Sequence, residues 1–364
     1  MIQKLRDHKI NLLNQISPSQ YYSAINCPYK LVLANSFGYE SLLPMNANAH
    51  FGSITHKMIE LISRGLIVDE QTFNKNWIEL VNKKENELKS KGLSYIVPLK
   101  YFVDEFALKK NQIKNILQRK KEKINHSQKS TANKYYPEKR LENSDKSITG
   151  IADLIIENDS GVAILDFKTG KIYSDSINEY GNIEQVIKKE YEFQLKLYAH
   201  LYFLMHGQYP VLLYLVTLAN TFVEIDFTNE DCERVYNNAL NLIFEINQAI
   251  ADNKIELIAK PSEENCKYCS YRPACNYYKK WLKDNFKNTN DLAGILQKIT
   301  SFNNNTIGIQ LLIEEKQVLI NGFPGRYNSH FETLISKNII LHNLKKTKQS
   351  LNATANNFTI VYEF

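Results

Sequence analysis

The chain has 364 residues, 43% hydrophobic and 23% charged, with a formal net charge of +6. That length exceeds what a single hydrophobic core usually fills, so one elaborated domain or a large domain with a smaller companion is expected. No apolar run is long enough to span a bilayer, and the N-terminal MIQKLRDHKINLLNQISPSQ lacks the apolar stretch and cleavage site of a secretory signal, so a cytoplasmic chain with no membrane partner is expected.

Ser17-Pro18-Ser19 resembles a helix start, and the helix it opens carries Cys27 near its end, where Cys27-Pro28 marks a boundary. From Phe51 to about Lys134 the period is helical, with Ile54, Met58, Ile59 and Ile62 at helical spacing, giving a helical block over about 50–134. Its polar end, KKEKINHSQKSTANK (120–134), reads as a flexible loop or a solvated helix end. After Lys139 the period shortens. GIADLIIENDSGVAILDFKTGK reads as two strands joined by the turn Asn158-Asp159-Ser160-Gly161. A helix follows in YEFQLKLYAHLYFLMHG, then strands in YPVLLYLVTL and TFVEIDF, then a helix over 229–252. This order implies a small mixed sheet. Beyond about residue 290, a helix-like DLAGILQKI, strand-like TIGIQLLI and KQVLI, and a closing FTIVYEF predict an α+β appendage.

In ILDFKTGK, strand alternation places Asp166 and Lys168 on one face and Leu165 and Phe167 on the other. An edge strand with a solvated face would explain the charged pair. Asp153 on the preceding strand offers another reading, because hairpin pairing brings it beside Asp166, and two adjacent carboxylates repel unless a cation lies between them. Oxygen-rich sites of this kind suit Mg²⁺ or Mn²⁺. Lys168 would then stand beside the attacking water and a phosphate's growing negative charge. Gln194 and Tyr198, i and i+4 on the following helix, share a face, and His56 lies four residues after Gly52 on an early helix. Singly, each is more simply a packing or surface residue.

Together, Gly52 with His56, Gly150 with Asp153, Asp166-Phe167-Lys168 followed by Thr169-Gly170, and Gln194 with Tyr198 resemble the RecB-like branch of PD-(D/E)xK nucleases over roughly residues 17–280. The resemblance implies an α/β, restriction-endonuclease-like mixed sheet flanked by helices, and a Mg²⁺- or Mn²⁺-dependent deoxyribonuclease, an exonuclease by preference. It implies metal ligation by His56, Asp153, Asp166 and the backbone carbonyl of Phe167, assistance to the attacking water by Lys168, and support from Gln194 and Tyr198. Some members use a further upstream acid, for which Glu138 and Glu142 are both candidates; a surface role is the simpler reading of each.

Cys266, Cys269 and Cys275 form C-x2-C-x5-C, a spacing that serves zinc or an iron-sulfur cluster, with no nearby fourth ligand. Cys232 reads as a free, partly buried thiol. NCPYK and CKYCSYRPAC resemble the N- and C-terminal motifs of the iron-sulfur subset of RecB-like nucleases, which includes CRISPR-associated exonucleases and the nuclease domain of AddB-type helicase-nucleases. That resemblance implies a 4Fe-4S cluster in preference to zinc, held by Cys27, Cys266, Cys269 and Cys275 as a clasp. The domains expected are then a nuclease domain over 1–288 and an accessory α+β domain over 289–364.

The partner implied is DNA, single-stranded or with free ends, together with a helicase or other protein docked on the appendage. Lys120, Lys121 and Lys123, with Arg119, Lys109, Lys110 and Lys114, suggest a phosphate track, although a solvated helix face accounts for them equally. DNA repair, recombination, CRISPR adaptation and antiphage or mobile-element processes all use such nucleases. The competing reading is a non-catalytic DNA-binding or scaffold subunit of a helicase-nuclease complex.

Overall fold

A computed structural model describes residues 2–126, 133–177, 181–346 and 352–363, with side chains 119–126 excepted. The chain divides into two compact units, one of Leu13–Ile25 with Asn46–Glu245 and one of Met1–Leu12, Asn26–Met45 and Ile246–Phe364.

The first unit is built on a five-stranded sheet in the order Lys134–Glu142, Thr149–Asn158, Gly161–Lys168, Leu212–Thr217, Phe222–Glu224. All neighbours are antiparallel except Gly161–Lys168 against Leu212–Thr217, which run parallel because the helix Lys189–His206 intervenes as a crossover. Both central strands are almost fully apolar where the sheet is covered: Val162, Ile164, Leu165, Leu213, Leu215 and Val216 are all buried. Three helices form the expected block, Ala47–Ser63, Glu70–Ser90 and Phe106–His126. The first is capped by Asn46, whose side chain accepts from the Ala49 amide, and it buries Phe51, Ile54, Met58, Ile59 and Ile62 along one stripe.

The stretch read as a flexible loop or a solvated helix end is helical to His126 and extended from Lys134; residues 127–132 lie outside the described residues. A hairpin of Tyr173–Ile177 and Ile183–Ile187 separates the central strand from the crossover helix. Its short polar strands carry no readable alternation.

The second unit holds an eight-stranded sheet, seven strands from residues 292–363 and one, Ile2–Gln3, at an edge, pairing parallel with Val361–Tyr362. The segment expected to be helical, DLAGILQKI, is instead a strand, Leu292–Phe302, paired with Thr306–Ile313 and Asn338–His342. The pairing slips by one residue between Gln310 and Leu311, and this bulge gives Leu292, Leu296 and Ile299 a helix-like spacing on a strand. Gly294 permits the close packing: a Cβ there would stand 2.5 Å from the Leu312 carbonyl oxygen. The same unit contains the helices Pro28–Ser36 and Asn276–Asn285 and the cysteine segment between residues 266 and 275.

Candidate active site and cysteine cavity

The central hairpin pairs Leu154 with Leu165, so Asp153 and Asp166 stand one step further along adjacent strands. Asp153 turns toward the end of the strand, where its Oδ2 accepts from the Phe167 amide at 2.7 Å and its Oδ1 lies 3.4 Å from His56 Nδ1. Asp166 is 4% exposed. Its Oδ1 accepts from Gln194 Nε2 at 2.9 Å, while Gln194 Oε1 accepts from Lys168 Nζ at 3.0 Å. One buried amide therefore holds the carboxylate and the ammonium together. Lys168 Nζ also stands 2.5 Å from Asp166 Oδ2 as an ion pair, and among the described residues no other group partners that buried oxygen.

Tyr198, one turn beyond Gln194, donates to the Ile151 carbonyl at 2.8 Å and so ties the crossover helix to the Asp153 strand. Gly150 makes this approach attainable, since a Cβ there would meet Tyr198 Cε1 at 2.9 Å and Pro18 Cδ at 2.7 Å. Gly52 shows no such need: its nearest neighbour to a Cβ is Thr169 Oγ1, at 3.6 Å.

Burial lifts the Asp166 carboxyl above the ordinary range; Lys168 opposes the shift and Asp153 adds to it. His56 is raised, first by its hydrogen bond with Asp153 and then by the two carboxylates, against burial. Glu138 is raised by burial and by the charges of Asp153 and Glu60. Of the two upstream acids, Glu138 thus belongs to this neighbourhood, whereas Glu142 pairs with Lys146 at 3.4 Å. One further side chain, absent from the sequence expectations, joins the site. Tyr191 presents its ring 4.4 Å from Lys168 Nζ and 5.6 Å from Lys188 Nζ. Its position three residues before Gln194, on the same helical face, is the signal that marks it.

The donors present are of the kind a hard divalent cation takes: carboxylates, an imidazole, and a buried carboxylate oxygen partnered only by the Lys168 ammonium among the described residues. Among the described residues, no group of three or more His, Cys, Asp or Glu side chains is placed to hold a metal ion.

Cys27, Cys266, Cys269 and Cys275 line one small cavity of about 20 Å³, together with Tyr29, Lys30 and Arg272. Two links fix its halves: the Tyr29 amide donates to the Ile258 carbonyl at 3.1 Å, and Asn265 Nδ2 to the Asn26 carbonyl at 3.1 Å. Burial pushes the Cys266 and Cys275 thiols up to about 12, with the neighbouring cysteines adding. Cys232 is buried in the other unit, as a free thiol. The side chains of Lys120, Lys121 and Lys123 lie outside the described residues.

The model of the PD-(D/E)XK nuclease superfamily matches residues 15–276, most of the chain. The chain belongs to this superfamily. Over 71 residues, 19% of this chain and 6% of the relative, it is 37% identical to an ATP-dependent helicase/nuclease subunit from Bacillus licheniformis. The chain thus matches only a small fraction of that relative's length. A crystal structure described as "Putative exonuclease" from Eubacterium rectale is 11% identical, with a TM-score of 0.42 over 73% of this chain and 88% of that one. No helix among the described residues is long and apolar enough to cross a membrane.

Proposed function

We propose that this PD-(D/E)XK chain is a Mg²⁺- or Mn²⁺-dependent DNA nuclease that hydrolyses phosphodiester bonds from DNA ends. The carrying observation is the Gln194 amide, which clamps Asp166 to Lys168 on a strand whose neighbour supplies Asp153. A purely structural strand has no use for a buried acid and ammonium fixed side by side, because burying both is costly.

His56, Asp153, Asp166 and the Phe167 carbonyl, with Glu138 beside them, would hold the ion. When bound, it would neutralise the carboxylates and supply positive charge toward the scissile phosphate. Lys168 orients the attacking water and balances the charge that grows on the phosphate oxygens as the water oxygen bonds to phosphorus and the ester oxygen departs. Gln194 keeps that ammonium aimed, and Tyr198 fixes the helix that carries Gln194. End-labelled single- and double-stranded DNA should be shortened with Mg²⁺ or Mn²⁺ and left intact in EDTA. DNA retained without cleavage under any divalent ion would instead indicate a non-catalytic binding protein.

The four cysteines are assigned to a structural 4Fe-4S cluster, supported by their convergence on one cavity. Anaerobically purified protein should contain about four irons per chain. Cys27→Ala should lose iron and stability together, whereas Asp166→Ala should keep its iron; zinc in place of iron would sink this assignment. Residues 289–364 are proposed to dock a helicase, a reading supported by the helicase/nuclease relative. Recovery of the tagged chain from its host without any helicase would count against it.

A further inference from the structure

Beyond the proposed hydrolytic site, we infer that the face of the helix Asn276–Asn285 bearing Lys279, Lys280 and Lys283 is a phosphate-binding groove for a single nucleic-acid strand. It lines an open cavity of about 490 Å³ with Tyr29 and Tyr277, a size typical of ligand sites. Lys283 is i+4 from Lys279 and i+3 from Lys280, so it neighbours both on the helix surface, and all three line the same cavity.

Among the described residues no carboxylate lines the cavity; Asp284 follows Lys283 on the same helix, outside the lining, and Glu256, on a neighbouring turn, is the acid whose field reaches Tyr277. Lys280 and Lys283 are exposed, and among the described residues neither is held in an ion pair.

Two rings share the lining with the charges, Tyr277 on the same helix three residues before Lys280 and Tyr29 from the helix Pro28–Ser36. Tyr29 is 5% exposed and meets the Tyr277 ring edge-on at 5.5 Å. This braces the half-buried Tyr277 as a platform. Ammonium groups beside a braced ring match a strand that presents phosphates on one side and bases on the other, and the stacking tolerates any sequence. An acidic peptide would use the charges and leave the rings idle.

The test is anisotropy of a fluorescein-labelled oligothymidylate bound to the full chain in EDTA, titrated across salt concentrations. Lys280→Glu with Lys283→Glu should weaken binding, and the alanine pair should make the salt slope shallower by about 1.4, the loss of two single-strand phosphate contacts. The arginine pair should retain the slope, and an unchanged melting temperature of the alanine pair secures the fold. Unchanged affinity and slope in the alanine pair would overturn the inference. So would polyglutamate binding as tightly as the oligonucleotide and losing affinity in the same variants. Because binding is read without turnover, a wild type that binds but never cleaves rejects the nuclease reading and leaves the groove standing.

Discussion

Gln194 shows why the candidate site is sensitive to single atoms. Its amide gives one hydrogen bond to Asp166 and accepts one from Lys168, and no other residue makes both contacts among the described residues. Gln194→Ala should therefore strand a buried carboxylate and loosen the ammonium. About 10²-fold slower cleavage is expected, the scale on which a positioned charge or proton-transfer group acts, with Gln194→Glu failing to restore it because a second carboxylate joins Asp166. Tyr191 acts on the same ammonium from its ring face. Tyr191→Phe should stay near wild-type turnover, while Tyr191→Leu should lower kcat with little change in KM; equal kcat in both would remove Tyr191 from the site. Strand alternation makes Asp166 and Lys168 legible in the sequence, and family motifs mark Gln194. Alternation says nothing about a ring that docks from the crossover helix, where only its spacing from Gln194 marks Tyr191. Neither does it choose Glu138 over Glu142, a choice made by the surrounding charges of Asp153 and Glu60.

Elements show a different balance. The hairpin Thr149–Asn158 with Gly161–Lys168 and the crossover helix are readable from period and turn chemistry, because burial on both faces leaves a continuous apolar run. The strand Leu292–Phe302 mimics a helix in its pattern because its bulge inserts one residue into a period of two. Where helix and sheet approach most closely, the sequence is strict. Gly150→Ala should push Tyr198 or Pro18 aside, at a cost of about 1–3 kcal/mol, visible as a lower melting temperature; an unchanged value would mean that the close approach is slack.

The Arg272 segment supplies the second element-scale case. Between Cys269 and Cys275, Arg272 makes two hydrogen bonds to Asp291, at 2.6 and 3.2 Å, and one to Asn343 at 2.7 Å. Tyr278 donates to Asp291 at 2.7 Å, and His342 Nδ1 lies 2.6 Å from the same carboxylate. The cysteine segment is thus bound to the eight-stranded sheet of its own unit. Burial would raise Asp291, but His342 and Arg272 hold it well below the carboxylate range; burial lowers His342 despite Asp291. Arg272 supplies a balancing charge for the carboxylate. Both shifts are downward, so the unfolded chain takes up protons first and stability falls with acid. The histidine contribution is lost below about pH 6.5, and the carboxylate contribution below about pH 4. Melting temperature should decline from pH 6.5 to 5 less steeply in His342→Gln than in wild type; parallel curves would refute the assignment. Asp291→Asn, which leaves a buried guanidinium unpaired, should cost about 3–5 kcal/mol.

For the whole molecule, the candidate active site and the cysteine cavity lie in different compact units. The carboxylates, Lys168 and Gln194 belong to the unit of residues 46–245, and the four cysteines to the unit that gathers 1–12, 26–45 and 246–364. The N-terminal pieces of that second unit are the least legible feature, since two residues of parallel pairing at Ile2–Gln3 carry no periodic signal. The division predicts separable phenotypes, loss of iron and fold for the cysteines and loss of turnover alone for the carboxylate strand. The central claim is that the Asp166–Gln194–Lys168 arrangement hydrolyses DNA. The most direct measurement is single-turnover cleavage of end-labelled DNA in Mn²⁺ by wild type and Lys168→Ala, each shown by thermal melting to be folded. Cleavage by wild type with at least a hundredfold loss in the variant is the expected result; equal rates from two folded proteins would contradict it.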